Sequence, residues 1–588
     1  MSDKIISLFR KRLAREKGAV KKDWGGRVAV ALAYPNYYRT GMSNLGFQVV
    51  YHLLNSKRNI VAERFFLPDD TEMSLYGEAG KGILSLESQS PLHSFDLAAF
   101  SLSFENDYPN ILKILDMGKL PLLSNEREEH HPLVMAGGVT TFLNPEPMAD
   151  FFDLFLLGEA EGVLDLFMER YIDARGAGEG RQETLSMLAR DVPSVYVPSF
   201  YSVEYRGDGT IENREPLERD IPEKIEAARM PPGKPRIATS VIQTPETPFA
   251  QRVLIELGRG CGRSCRFCAA GYVYRPPRTY PKEELLATVG EVLNTNDRVG
   301  LLSAAITDTP GIENVMELIL EKGGNFSVSS LRADSMTENM VGHLKAAGQK
   351  TLAIAPEAGS ERLRKVINKH LTEDQIMQAA AMIARAGEFN LRLYFMVGLP
   401  TETREDVDEI LELVKTMKHH IVKESGTRGR IGRIRLSINC FIPKPFTPFQ
   451  WFPLEQVPIL KEKQKWLKKA LRKEGGIKVS FDLPKWAYVQ SLLSMGDRRV
   501  GSILLSAYQS GGDWKQACRF SDVNPDFFVH RPKGLDENLP WDFIDQGLYK
   551  EHLIKEYKLA LKAKESDTCH VGECDRCGVC TVGASAGK

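Results

Sequence analysis

Two series of short apolar runs, each run separated from the next by a helix-length amphipathic segment, restrict this chain to an α/β architecture. The first series is RVAVALAY, IVAERFF, FDLAAFSLS, PLVMAGG and DLFLLGE; the second, after Arg252, is VLIEL, VGLLSAA, FSVSSLR, TLAIAP, LRLYFMVG and IRLSINCF. Runs this apolar along their whole length fit strands buried on both faces, as in parallel sheets whose crossovers are helices. Five such strands predict a flavodoxin-like doubly wound domain over residues 25–175. Six more predict a partial (β/α)6 TIM-type barrel over residues 249–453. In both arrangements ligands gather beyond the carboxyl ends of the strands. In the first domain those ends are residues 34–46, 103–108, 137–147 and 158–162, all but the last rich in Gly, Asn, Ser or Thr.

The remaining segments are smaller. Residues 1–24 form a basic leader with Ile5, Ile6, Leu8, Phe9 and Leu13 at amphipathic-helix spacing and without the apolar core or cleavage site of a signal peptide. Residues 176–248 read as a linker with one hairpin, because Gly207-Asp208-Gly209 sits between alternating runs. Residues 454–566 are mainly helical by period, with KVSFDL as one strand, and residues 567–588 are a short glycine-rich tail with four cysteines. A length of 588 residues suits several such bodies better than one core.

Lys plus Arg equals Asp plus Glu, 77 each, so no net field draws the molecule to nucleic acid or an acidic membrane. Such a partner would need a local patch. KEKQKWLKKALRKEG, with Trp466 among lysines, and Arg498-Arg499 are the candidates, either as solvated helix faces or as a grip on RNA or an acidic protein segment. No apolar run reaches the roughly 18 residues of a membrane span, so a cytoplasmic location with no membrane partner is expected.

Seven of the nine cysteines fall in two tight groups, which is ligand spacing; Cys440 and Cys518 read as buried structural thiols. Cys261-Gly-Arg-Ser-Cys265-Arg-Phe-Cys268 follows the first strand of the second series. An iron–sulfur cubane normally takes four thiolates, so three on one loop can wrap a cluster and leave one iron open. A zinc knuckle wants a fourth ligand, and three thiols cannot all pair as disulfides. Gly258, Gly260 and Gly262 would let backbone approach the cluster, and Arg259, Arg263 and Arg266 would offset its negative charge. The second group, Cys569-x4-Cys574-x2-Cys577-x2-Cys580, has four ligands for a closed site, either structural zinc or a second iron–sulfur cluster, with His570 superfluous.

GRGCGRSCRFCAAGYVYRP resembles the signature loop of the radical S-adenosylmethionine superfamily. The resemblance implies a [4Fe–4S] cluster on Cys261, Cys265 and Cys268 whose open iron chelates S-adenosylmethionine. It further implies reductive cleavage to methionine and a 5′-deoxyadenosyl radical, fed by a reductant such as flavodoxin or ferredoxin. Phe267 would lie beside the adenine. Where the family often carries Gly-Gly-Glu, this chain has Ser303-Ala304-Ala305, so Ser303, Thr307 and Asp308 become candidates for the methionine amino group. APEAGSERLRKVINK is similar to a Gly-x-Glu-Ser-Gly-Ser segment of several subgroups, which makes Glu357 and Ser360 candidates for the amino group and ribose; Ala358 departs from the usual serine. LRLYFMVGLPTET implies a backbone contact to adenine at Gly398, and Glu402 reads as a helix N-terminal carboxylate.

YPNYYRTGMSNLGFQ, SFENDYPN and MAGGVTTFLNPEPMADFFDLFLLGEAEG, together with the cysteine loop, look like a bacterial subgroup of B12-binding-domain radical SAM proteins over nearly the whole chain. That likeness implies cobalamin in the first domain, although no Asp-x-His-x-x-Gly sequence supplies an imidazole to cobalt; His52, His93, His130 and His131 stand in other contexts. Members can hold cobalamin without such a histidine, so a corrinoid-loaded domain and one that keeps the fold alone both stay open. With cobalamin the implied reaction is methyl transfer to an unactivated carbon; without it, hydrogen abstraction followed by rearrangement or sulfur chemistry. The substrate is an RNA, a protein or a small molecule. The alternative is a non-catalytic corrinoid or metal sensor, which the missing Gly-Gly-Glu and cobalt histidine would suit.

Overall fold

Every side chain of strand β1 (Val28–Tyr34) is buried, the state that an unbroken apolar run predicts. The computed structural model describes residues 3–79, 82–231, 237–249, 252–426 and 432–580. The chain divides into two compact units, one of residues 1–251, 492–528 and 536–546, the other of residues 252–491, 529–535 and 547–588.

In the first unit β1, β2 (Ile60–Phe66), β3 (Leu97–Ser101), β4 (Leu133–Gly137) and β5 (Leu154–Leu156) are parallel, in the order 2-1-3-4-5. This is the flavodoxin-like order, which reverses between β1 and β3. The segment 176–248 does more than link. Its helix Arg181–Asp191 leads into β6 (Val195–Tyr196), which joins the sheet antiparallel to β5 because Val195, Tyr196 and Val197 are apolar and fully buried. The expected hairpin follows as β7 (Tyr201–Tyr205) and β8 (Ile211–Pro216). Then β9 (Ile225–Glu226) pairs with β19 (Ile544–Asp545), and residues beyond β9 cross the end of β5. There Gly158 has φ +104° and lies so close that a Cβ would stand 2.3 Å from the Ala228 backbone. The leader is the helix Asp3–Ala14, which buries Ile5, Phe9 and Leu13. Just after it, Glu16 meets the fully buried Arg64 at 2.6 Å, and Glu87 holds the same guanidinium from the other side, also at 2.6 Å.

The second unit begins with β10 (Val253–Glu256), β11 (Gly258–Arg259) and β12 (Arg278–Thr279). Parallel strands β13 (Arg298–Leu302) and β14 (Asn325–Val328) extend β10. Strands β15 (Thr351–Glu357), β16 (Asn390–Val397), β17 (Ile434–Cys440) and β18 (Ile477–Phe481) form a second parallel sheet, joined to the first by the parallel bridge Leu331–Ile354. KVSFDL therefore supplies a seventh parallel strand to the array. Among the described residues β10 and β18 are not paired, so the array is open.

The region 454–566 is not one body. Residues 454–491 belong to the second unit, whereas 492–528 and 536–546 belong to the first. Asn144, itself buried, fixes this return by donating to the carbonyls of Ser494 (3.0 Å) and Gly496 (2.7 Å). Among the described residues no helix is long and apolar enough to cross a membrane.

Candidate active site and second thiol set

The loop that carries Cys261, Cys265 and Cys268 is framed at its base by the antiparallel pair β11–β12, with Gly258 opposite Thr279. The glycines there serve close packing of the chain on itself. A Cβ at Gly258 would stand 2.8 Å from the Arg278 carbonyl, and one at Gly260, where φ is +81°, would stand 2.5 Å from the Tyr274 carbonyl. Ser264 is also left-handed, φ +57°, a strained state for a residue with a Cβ. Three bonds hold it: Tyr272 Oη and Asn368 Nδ2 donate to its carbonyl at 3.2 and 3.1 Å, and Arg275 donates to its Oγ at 2.8 Å.

The arginines do not serve as free counter-charges. Arg259 pairs with Glu256 at 2.9 Å. Arg266 is fully buried and acts as a strut, donating to Glu556 (3.0 Å) and to the carbonyls of Lys365, Val366 and Lys564 (3.0, 2.9 and 2.8 Å). Arg263 pairs with Asp308 and, at 3.3 Å, with Asp334.

All nine cysteines are free thiols. Burial pushes the Cys268 thiol up to about 12, the charges of Cys265 and Cys261 add to it, and the amide N–H groups of Ala270 and Gly271 oppose it. Burial likewise raises Cys261, against an N–H bond from Arg263. Among the described residues no group of three or more His, Cys, Asp or Glu side chains is already closed around a metal-sized point. The donor chemistry nevertheless fits an iron–sulfur cluster. Three thiols on one braced loop feel one another's charge, and amide N–H donors reach two of the sulfurs, the kind of hydrogen bond that stabilises ligated thiolate.

The carboxyl ends of the neighbouring strands carry an alternating chain of charges. Beyond Arg263 and Asp308, Asp334 meets Arg332 at 2.9 Å, Arg332 donates to the Lys369 carbonyl at 3.0 Å, and Lys369 meets Glu357 at 3.3 Å. Glu357 ends β15 with φ +69°, where the register with β16 shifts. Ser303 accepts from the Ala305 N–H at 3.2 Å, and Thr307 accepts from Ser335 at 2.8 Å. Phe267 packs against the apolar cluster of Ala358, Leu363, Ile367, Leu399, Phe441 and Phe449.

Two predicted contacts are engaged by the protein itself. Ser360 caps the helix Glu361–Val366 by accepting from the Leu363 N–H at 3.0 Å, and it donates to Asp406 at 2.5 Å. Gly398, φ +82°, gives its N–H to Glu402 at 2.9 Å. Glu402 is not the expected helix-terminal carboxylate. Thr403 caps the helix Arg404–Ser425, while Glu402 turns inward onto Gly398 and a 2.6 Å pair with Lys463; burial raises its carboxyl and Lys463 opposes that.

The second thiol set lies in the same unit. After the helix Lys550–Leu561 the chain returns so that the Cys569 N–H donates to the Gly262 carbonyl at 2.7 Å. Tyr549 N–H donates to the Cys577 carbonyl at 3.0 Å, and Cys577 is 4% exposed. The charges that act most on Cys569 are Arg275 and the other tail thiols, Cys577, Cys574 and Cys580. Those acting on Cys268 are Cys265 and Cys261. The seven thiols thus separate into the two sets that their spacing predicts. Arg275 was invisible to that spacing: besides Ser264 it donates to the Gly271 carbonyl (2.7 Å), meets His552 Nε2 at 3.2 Å and hydrogen-bonds the Cys577 thiol. Burial and the neighbouring Arg275 push His552 down to about 4, so it faces that guanidinium as a neutral acceptor. Arg576 similarly reaches Cys574.

Comparison with known proteins gives two family matches: "Radical SAM proteins, N-terminal" over residues 46–198 and "Radical SAM superfamily" over residues 255–414. An uncharacterized protein of Methanocaldococcus jannaschii is 31% identical over 481 residues, which is 81% of this chain and 90% of that one. The ribosomal protein uS12 methylthiotransferase RimO of Thermodesulfovibrio yellowstonii is 25% identical over 193 residues, 30% of this chain and 45% of that protein. Among solved structures, the radical S-adenosylmethionine methyltransferase TsrM from Kitasatospora setae, with cobalamin and [4Fe-4S] cluster bound, is 12% identical, with a TM-score of 0.44 over 72% of this chain and 77% of that one. The cobalamin-dependent S-adenosylmethionine radical enzyme OxsB is 14% identical, with a TM-score of 0.40 over 91% of this chain and 79% of that one.

Proposed function

Because the chain belongs to the radical S-adenosylmethionine superfamily, we propose that Cys261, Cys265 and Cys268 hold a [4Fe–4S] cluster whose open iron takes S-adenosylmethionine, and that the protein modifies an RNA, protein or small-molecule substrate. When bound, these groups supply one-electron cleavage of a carbon–sulfur bond. The observation that carries the reading is the loop itself: three free thiols at the carboxyl end of β10, with amide donors on two of them and Ser264, Arg266 and Asn368 bracing the turn. Around it this chain's residues orient and screen. Phe267 offers an apolar face for the adenine. Gly398, at a positive φ, would give the adenine its backbone contact. Glu357, tethered by Lys369, and the hydroxyl of Ser303 are the groups for the methionine ammonium; Ser360 acts by fixing the helix that begins beside them. A reductant such as flavodoxin or ferredoxin supplies the electron. Anaerobic reconstitution followed by dithionite and S-adenosylmethionine should release 5′-deoxyadenosine. Turnover no higher than that of a Cys261/Cys265/Cys268→Ala variant would instead favour the non-catalytic sensor.

A second reading concerns the first unit. Its order reverses between β1 and β3, the place where doubly wound sheets bind ligands, and residues 34–46 and 103–108 meet there. We read this as the seat of a cobalamin, with methyl transfer to carbon as the reaction. Titration of the full chain with cobalamin should perturb the corrinoid visible spectrum; an unchanged spectrum removes the corrinoid and leaves hydrogen abstraction with rearrangement or sulfur chemistry.

A further inference from the structure

We propose that Cys569, Cys574, Cys577 and Cys580 form a second metal centre that docks on the first cysteine loop and holds it in shape, with Arg275 as the positioning residue between them. The inference rests on the reading of Cys261, Cys265 and Cys268 as ligands, but its own evidence is separate. Four thiols within one short segment, none in a disulfide, are a complete tetrathiolate donor set. In the segment 562–580 Cys577 and Val579 are buried but Val571, Glu573, Asp575 and Arg576 are exposed, and regular secondary structure is absent among the described residues after Leu561. A tetrathiolate metal supplies folding free energy directly in such a segment.

The docking is specific. Cys569, the first tail ligand, donates its N–H to the carbonyl of Gly262, the residue after the first loop ligand, at 2.7 Å. A Cβ at Gly262 would lie 3.6 Å from the Cys569 Cβ, so the two ligand segments are in van der Waals contact. Arg275 then ties the sets through side chains. One guanidinium reaches Ser264 Oγ inside the first loop, the Gly271 carbonyl just after it, and the Cys577 thiol in the tail. Asn368 repeats the pattern, donating to the Ser264 carbonyl at 3.1 Å and accepting from the Ser566 N–H at 2.9 Å. Arg576 gives the tail centre a second cation at Cys574. Zinc and an iron–sulfur cluster share this donor chemistry, and the metal found distinguishes them.

The experiment compares the anaerobically purified full chain with three variants: Cys574→Ser/Cys577→Ser, the Cys261/Cys265/Cys268→Ala chain, and Arg275→Ala beside Arg275→Lys. Iron, sulfide and zinc are measured per chain, together with the electron paramagnetic resonance spectrum of the reduced protein and the rate of iron loss to a chelator. The tail variant should lose one centre, either its zinc or about four irons, and keep the first cluster with an altered spectrum and chelator loss faster by about 10-fold or more. Arg275→Ala should keep both centres and show the same spectral change and faster loss, with partial recovery in Arg275→Lys. The proposal is overturned if the tail variant retains all the metal of the wild type, or loses a centre with no change in the spectrum or chelator resistance of the other. If instead the loop variant keeps the iron and the spectrum of the wild type, the reading of the first loop fails while the tail centre stands.

Discussion

The carboxyl ends of the two parallel arrays differ in how their side chains are engaged. In the first unit they are tied to one another: Asn36 donates to Asp107 at 2.8 Å, Asn44 to Ser103 at 3.1 Å and Asn110 to the Pro35 carbonyl at 2.9 Å. The end of β5 is covered by the chain at Ala228. In the second unit the strand ends are tied instead by ion pairs, Arg263 with Asp308 and Asp334, Arg332 with Asp334 and Lys369 with Glu357, while the cysteine loop beside them is braced through the Ser264 carbonyl by Tyr272 and Asn368. A parallel sheet fixes where loops gather, and the chemistry then depends on which loops are braced from behind and which from the front.

Removing Cys261, Cys265 and Cys268 together should have the largest effect, because the braced loop would have nothing left to hold; 5′-deoxyadenosine formation should fall to the level without enzyme, while far-ultraviolet circular dichroism of the first unit's elements persists. A residual rate above a few per cent would show that the two mouths are less different than their side chains indicate.

Next come the buried struts. Arg266→Met removes the cation from buried Glu556, to which the Ser566 hydroxyl still donates, and loss of one partner of a buried ion pair costs about 3–5 kcal/mol. Arg64→Met in the first unit strands Glu16 and Glu87 and should cost at least as much. Denaturant titration that separates the two units should show each variant lowering its own transition; a loss below about 1 kcal/mol in either would show that its strut is dispensable.

Gly158→Ala probes the covered end of β5. With φ +104° and Ala228 in the way it should destabilise by about 1–3 kcal/mol, whereas Gly290→Ala, in open space on the helix Lys282–Leu293, should stabilise by about 0.5–1 kcal/mol. Equal effects would mean that the covering segment yields freely.

A further expected effect is on pH dependence. Burial pushes the Asp107 carboxyl up to about 6, with Asn36 opposing and Glu105 adding to the shift. A carboxyl raised on folding binds its proton more tightly in the native state, so this contribution to stability is fully present below the unfolded value of 3.8 and is lost as pH rises through about 6. Discounted for partial exposure, it amounts to about 1–2 kcal/mol. Asp107→Asn should flatten the stability profile between pH 4 and pH 6; an unchanged profile would place Asp107 in an ordinary solvated setting.

Most strands were legible because an apolar run of strand length is nearly unambiguous, and the grouping of seven thiols into two clusters was legible because their spacing is local. What escaped depends on distant parts of the chain. KVSFDL is expected as a strand, but its place as a seventh parallel strand beside β17 is not local information. The returns of residues 492–528 and 536–546 are fixed by Asn144 and by the β9–β19 pair. Arg275 and Asn368 lie inside the stretches GRGCGRSCRFCAAGYVYRP and APEAGSERLRKVINK, but nothing local shows that they join the cysteine loop to residues about 200–300 positions later. Glu402 misled because a carboxylate near a helix start is usually a terminal charge, and only Lys463, on another helix, turns it inward.

The most direct measurement of the central claim is the electron paramagnetic resonance spectrum of the reduced full chain with and without S-adenosylmethionine, following the signal that disappears in the Cys261/Cys265/Cys268→Ala variant. An open iron predicts that this signal shifts when S-adenosylmethionine is added. A signal that stays the same at saturating S-adenosylmethionine would contradict the account.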